Sequence, residues 1–139
     1  MEKTNVYDRA RKVVRELVPL LHTIREHDKS LADQLKRAAQ SVVLNIAEAH
    51  GNDAGNARAR FSTACGSAKE VRAALNVATD WGYIETHMAT HLDEKLDEVC
   101  AITWCLGRRL LRPESLQDIA HTSSSAMSTA LNFAVGTYP

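Results

Sequence analysis

The chain has 139 residues, 45% hydrophobic and 24% charged, and its 17 basic residues balance its 17 acidic ones. That length allows one domain with a real core, and the composition excludes a disordered chain. The neutral total withholds the positive excess of a dedicated nucleic-acid binder without excluding a local basic patch.

Aromatic residues are scarce at 5% while Ala and Leu are plentiful, which favours closely packed helices over sheets. No apolar run approaches the roughly 18–20 residues that span a bilayer. The opening Met-Glu-Lys-Thr-Asn lacks the charged-then-apolar pattern of a secretion signal. Cys65, Cys100 and Cys105 form no CxxC pair and read as reduced thiols, so the expected setting is cytoplasmic.

In the first helix Ala10, Val13, Val14, Leu17, Leu21 and Ile24 recur in steps of three and four, and Asn5 with Asp8 offers an N-cap. Pro19 lies inside this pattern and is expected to kink the helix or loosen the turn before it. A short break at His27-Asp28-Lys29-Ser30 follows, with Ser30 and Asp33 as a near capping box. The second helix turns Leu31, Leu35, Ala38, Val42, Ile46 and Ala49 inward, then meets turn chemistry in Gly51-Asn52-Asp53-Ala54-Gly55. Phe61, Ala64, Ala68, Val71, Leu75 and Ala78 give the third helix a coiled-coil-like stripe that ends at Gly82-Tyr83. The fourth starts near Thr86 or Thr90 and carries Leu92, Leu96, Val99, Ile102, Leu106 and Leu110. Its early acids and late arginines both suit the helix dipole.

Four helices with short connections make an all-α, antiparallel up-down-up-down four-helix bundle over residues 1–112. Pro113 stops the pattern. Residues 113–139 are expected to form a C-terminal tail, either partly ordered or docked on a neighbouring subunit through Ile119, Met127, Leu131 and Phe133.

The run Gln34-Leu35-Lys36-Arg37-Ala38-Ala39-Gln40-Ser41-Val42-Val43-Leu44-Asn45-Ile46-Ala47-Glu48 resembles the signature of bacterial four-helix-bundle proteins encoded by intervening sequences of large-subunit ribosomal RNA genes. Phe61, Ala64-Cys65-Gly66-Ser67, Glu70 and Trp81-Gly82-Tyr83-Ile84 resemble the third helix of that family. The likeness runs from Asn5 to Leu111 and departs at Pro19 and at Ala49, where the family usually has Gly. It implies a ring-like homopentamer with no established enzymatic activity. It also implies kinship with accessory proteins of diversity-generating retroelements, which bind nucleic acid and a reverse transcriptase through basic surfaces. Those relatives are basic and this chain is neutral.

Arg37, Ser41, Asn45 and Glu48 share one face of the second helix, beside its apolar face. If the third helix folds back through a short loop, facing residue numbers sum to about 107. Arg37 then meets Glu70, Ser41 meets Gly66 and Ser67, and Glu48 meets Arg58 or Arg60. Gly66 costs about 1 kcal/mol against Ala in a helix, which points to close backbone approach. Polar contacts that fix the register or a subunit interface are one reading of this stripe, and a ligand- or RNA-contacting surface is the other.

His87 and His91 stand four residues apart with Glu94 nearby, but the Glu-x-x-His pairs of di-iron bundles are absent, so no metal or other cofactor is expected. Cys100 and Cys105 are five apart, on different sides of a helix. No nucleotide-binding glycine loop or GxSxG motif is present, and no enzyme is expected. Arg9, Arg11, Lys12 and Arg15, with Arg108, Arg109 and Arg112, would meet at one end of an up-down bundle as a candidate nucleic-acid-binding surface. A solvated surface that includes Asp8 and Glu16 is the alternative. Two functions remain: a homo-oligomeric scaffold whose partner is itself, or an accessory protein that binds RNA or a nucleoprotein. Neither calls for a membrane.

Overall fold

A computed structural model describes residues 5–51 and 53–110, so the expected tail and Arg112 lie outside the described residues. Four helices follow in order: α1 (Val6–His27), α2 (Lys29–Gly51), α3 (Ala54–Asp80) and α4 (Thr86–Arg109). Each packs on its chain neighbour, and α4 closes against α1. Cross-helix contacts fix the antiparallel sense. Ser41 meets Ser67, Arg72 meets Asp93, and Glu16 meets Lys95, so numbers rise on one helix as they fall on the next. This is the up-down-up-down bundle.

The Asn5 side chain caps α1 by accepting from the Asp8 N–H at 2.9 Å. The helix continues through Pro19 to His27. Both Pro19 and Arg15, the residue whose carbonyl loses its helical donor, are exposed, so water can serve that oxygen. The α1–α2 corner is a single residue, and the expected Ser30 cap is corrected here. Asp28 donates its N–H to the Ile24 carbonyl at 2.7 Å, closing α1. Its carboxylate then accepts from the Leu31 N–H at 2.9 Å, opening α2 two residues earlier than Ser30 would. Arg25 and Asp33 pair across the corner at 2.9 Å.

Asp53 caps α3 through the Asn56 N–H at 3.0 Å, and its hydrogen bonds to Asn56 hold its carboxyl below the ordinary value. At the other end Gly82 adopts φ 76°, the left-handed conformation that favours glycine. Tyr83 then donates to the Ala78 carbonyl and Gly82 to that of Thr79, both at 2.9 Å, completing a Schellman stop. The Tyr83 ring stacks on His27 with centroids 5.0 Å apart, tying this turn to the end of α1.

Leu17, Ile24, Leu35, Ile46, Val71, Leu75, Leu92, Leu96 and Val99 are fully buried in one continuous core. Each such side chain contributes about 1.5–3 kcal/mol of transfer free energy. The expected stripes of α2 and α3 are buried throughout, and α1 adds Leu20 while Val14 and Leu21 lie at its edge. The lower half of α4 departs from expectation. There Cys100, Thr103 and Gly107 face inward, whereas Ile102, Leu106 and Leu110 are half-buried. Small residues let α3 come close: a Cβ at Gly107 would lie 3.7 Å from that of Phe61. The buried Thr103 hydroxyl satisfies itself on its own helix, donating to the Val99 carbonyl at 2.8 Å or that of Cys100 at 3.0 Å.

Candidate functional site

The polar stripe of α2 becomes a hydrogen-bonded chain along its seam with α3. Ser41 and Ser67 share a hydroxyl–hydroxyl bond of 2.7 Å. The buried Asn45 amide donates to the Ser41 carbonyl at 2.8 Å and to its hydroxyl at 3.1 Å. Asn45 Oδ1 accepts from Arg60 at 3.4 Å, and the same guanidinium pairs with Glu48 at 2.9 Å. The network therefore grades from hydroxyls near the core to a half-exposed ion pair. Among the described residues, no buried side-chain nitrogen or oxygen lacks a partner.

Ser41–Ser67 and Glu48–Arg60 fall at the expected levels of the register. Two other expectations are corrected. Arg37 and Glu70 are both exposed and form no ion pair with one another among the described residues. An exposed pair gains little over solvation and must immobilise two long side chains. Gly66 is not a close-approach position either. It is exposed, and an added Cβ would have nothing within 4 Å.

The sequence stripe left out a stronger electrostatic site on the α3–α4 seam. Arg72 donates to Asp93 at 2.7 Å and 3.1 Å and to Asp97 at 2.8 Å. Its hydrogen bond to Asp93 and the charges of both carboxylates raise its pKa against the opposing effect of burial. The i, i+4 spacing of Asp93 and Asp97 was the available signal. Across α1 and α4, Lys95 bonds both Glu16 oxygens at 2.7 Å and holds that carboxyl below its ordinary value.

At the candidate basic end, Arg9 pairs with Glu98, which places the start of α1 beside the second half of α4. Arg11 lies over the Tyr7 ring at 5.8 Å and Arg108 over the Trp104 ring at 4.5 Å. Arg11, Lys12, Arg15, Arg108 and Arg109 are exposed. His91 approaches Glu16 at 3.7 Å and His87 approaches Glu85 at 3.2 Å, two separate contacts. Among the described residues no group of three or more His, Cys, Asp or Glu side chains is placed to hold a metal ion, and no helix is long and apolar enough to cross a membrane.

Leu44, the middle of the α2 motif, is 60% exposed. Ala47 and Gly51 follow it at steps of three and four and are exposed too. This outward strip was not singled out in the sequence, because Leu44 falls outside the inward period.

No curated protein matches the chain. Among solved structures it is similar to a protein of unknown function from the S23 ribosomal protein family of Bacteroides thetaiotaomicron VPI-5482, determined at 1.70 Å. The TM-score is 0.67 at 19% identity, over 71% of this chain and 94% of that one, a likeness of fold. The model of the 23S rRNA-intervening sequence proteins matches residues 2–104, so the chain belongs to that family.

Proposed function

We propose that the protein is a non-enzymatic homo-oligomeric scaffold whose first partner is another copy of itself, with five copies in a ring as the family resemblance implies. The observation that carries this reading is Leu44, a large apolar side chain 60% exposed inside the family motif. Its polar neighbours Ser41, Asn45 and Glu48 are already satisfied within the chain, so the outer face of α2 offers Leu44 and Ala47 for contact. Removing them from water in a subunit interface supplies the drive for association. Light scattering and native mass spectrometry test this. The full chain is expected at a multiple of its 15.3 kDa protomer mass, and Leu44→Glu is expected to shift it to the protomer while its helical circular dichroism persists. A wild-type monomer at high micromolar concentration would overturn the proposal.

A second reading rests on Arg108 stacked over the half-exposed Trp104, beside Arg109. An aromatic ring next to guanidinium groups is a platform for an unstacked base with phosphate contacts alongside. Repetition around a ring would multiply a modest patch. Binding of structured RNA that weakens steeply with salt and is lost in the Arg108→Glu, Arg109→Glu variant would establish it. No binding at low salt by an intact oligomer would leave the scaffold alone.

A further inference from the structure

We propose that Cys65 and Cys100 are a thiol pair that a hydroperoxide closes into a disulfide joining α3 to α4, with Cys65 attacking first and Cys100 resolving. The placement comes from the seam. Facing positions on α3 and α4 repeat every seven residues: Arg58 meets Gly107, and Arg72 meets Asp93. Cys65 and Cys100 occupy the level between them, and the Cys100 thiol lies 3.5 Å from the Cys65 carbonyl oxygen. Bridged cysteines have Cβ atoms about 3.8 Å apart, and two residues on one level of adjoining helices, with one thiol 3.5 Å from the other's carbonyl oxygen, are placed for that bond.

The two sulfurs differ in ways that divide the labour. Cys65 is half-buried and reachable, whereas Cys100 is only 3% exposed. Lys69 follows Cys65 by one turn and Arg72 by two, so cations flank the reachable sulfur. The neighbouring Cys100 thiol, with Lys69, Thr103 and Arg72, lowers the Cys65 thiol against the opposing effect of burial. The neighbouring Cys65 sulfur and burial push Cys100 up, keeping it protonated until it is used. An accessible thiolate beside a protected second thiol is the arrangement of a reversible redox pair.

The Cys65 thiolate attacks one peroxide oxygen. A sulfur–oxygen bond forms, the oxygen–oxygen bond breaks, and the departing hydroxide takes a proton to leave as water. Cys100 then attacks the Cys65 sulfur, forming the sulfur–sulfur bond and breaking the sulfur–oxygen bond. The second hydroxide takes the Cys100 proton. Two thiols lose two electrons, and hydrogen peroxide ends as two waters.

The test uses the reduced full chain and equimolar hydrogen peroxide, followed by alkylation, intact mass and peptide mapping. The expected product has lost two hydrogen atoms, links Cys65 to Cys100 within one chain, alkylates at Cys105 alone, and is restored by dithiothreitol. Cys105→Ser is expected to form the same link and Cys65→Ser to form none, while Cys100→Ser traps a dimedone-reactive sulfenic acid at Cys65. Iodoacetamide labelling of the wild type serves where a variant misfolds: Cys65 is expected to react about tenfold faster than Cys105 at neutral pH. Cross-linking through Cys105, disulfides only between chains, or equal labelling of Cys65 and Cys105 would overturn the proposal.

Discussion

Helix α3 takes part in two seams that differ in kind. Toward α2 it offers neutral hydroxyls and an amide, grading to the half-exposed Arg60–Glu48 pair. Toward α4 it offers a guanidinium whose side chain is only 17% exposed, clamped by two carboxylates, and beyond that Cys65, which faces Cys100. The first seam sets a level cheaply, because neutral groups exchange water for one another at small net gain. The second commits charge to a partly desolvated position, where loss of one partner strands the others.

Substitutions can break this contrast in order of size. Arg72→Ala should be the most damaging, costing about 2–3 kcal/mol in urea denaturation because Asp93 and Asp97 lose the guanidinium between them. Arg72→Lys should recover only part of that, since an ammonium cannot bridge both carboxylates in the same geometry. Ser67→Ala should cost about 1 kcal/mol by leaving the Ser41 hydroxyl short of a partner, and the Ser41→Ala, Ser67→Ala pair should cost less than the two singles added. Gly66→Ala should stabilise the protomer by up to about 1 kcal/mol, because its Cβ enters open space on a helix. A Gly66→Ala variant that is more stable yet dissociated would place a neighbouring subunit against that turn.

Acid sharpens the comparison on another seam, between α1 and α4. The folded pKa of Glu16 lies below its ordinary value of 4.5, so its contribution is fully present above that value. It is lost as pH falls through the depressed folded value. Wild type should therefore lose stability on acidification more than Glu16→Gln does, measured by denaturation midpoints between pH 5 and pH 3.

The core was legible because Leu35, Ile46, Val71, Leu75, Leu92 and Leu96 obey a period that only a buried helix face requires. The α2–α3 level was legible too, since a short connection leaves little freedom in what faces what. What escaped had one of two causes. Asp28 and Ser30 are both good caps two residues apart, and the point at which α1 ends, with the Asp28 N–H closing on the Ile24 carbonyl, decides between them. The Arg72 clamp and the Cys65–Cys100 contact depend on the α3–α4 level, and comparing Cys100 with Cys105 on one helix could not reveal a partner on another. The tilt of α4 toward Thr103 and Gly107 escaped because a hydroxyl and a missing side chain carry no apolar signal.

The seven-residue recurrence along the α3–α4 seam has a consequence for how the chain reaches its fold. Helices whose facing positions recur every seven residues can dock one repeat out of step and still bury part of their hydrocarbon. In one such slip Arg72 would stand opposite Cys100, and in the other Cys65 would stand opposite Asp93. Both remove the guanidinium from its carboxylates while its stem is being drawn out of water. The clamp thus weighs against near-matches that hydrophobic contact alone would accept.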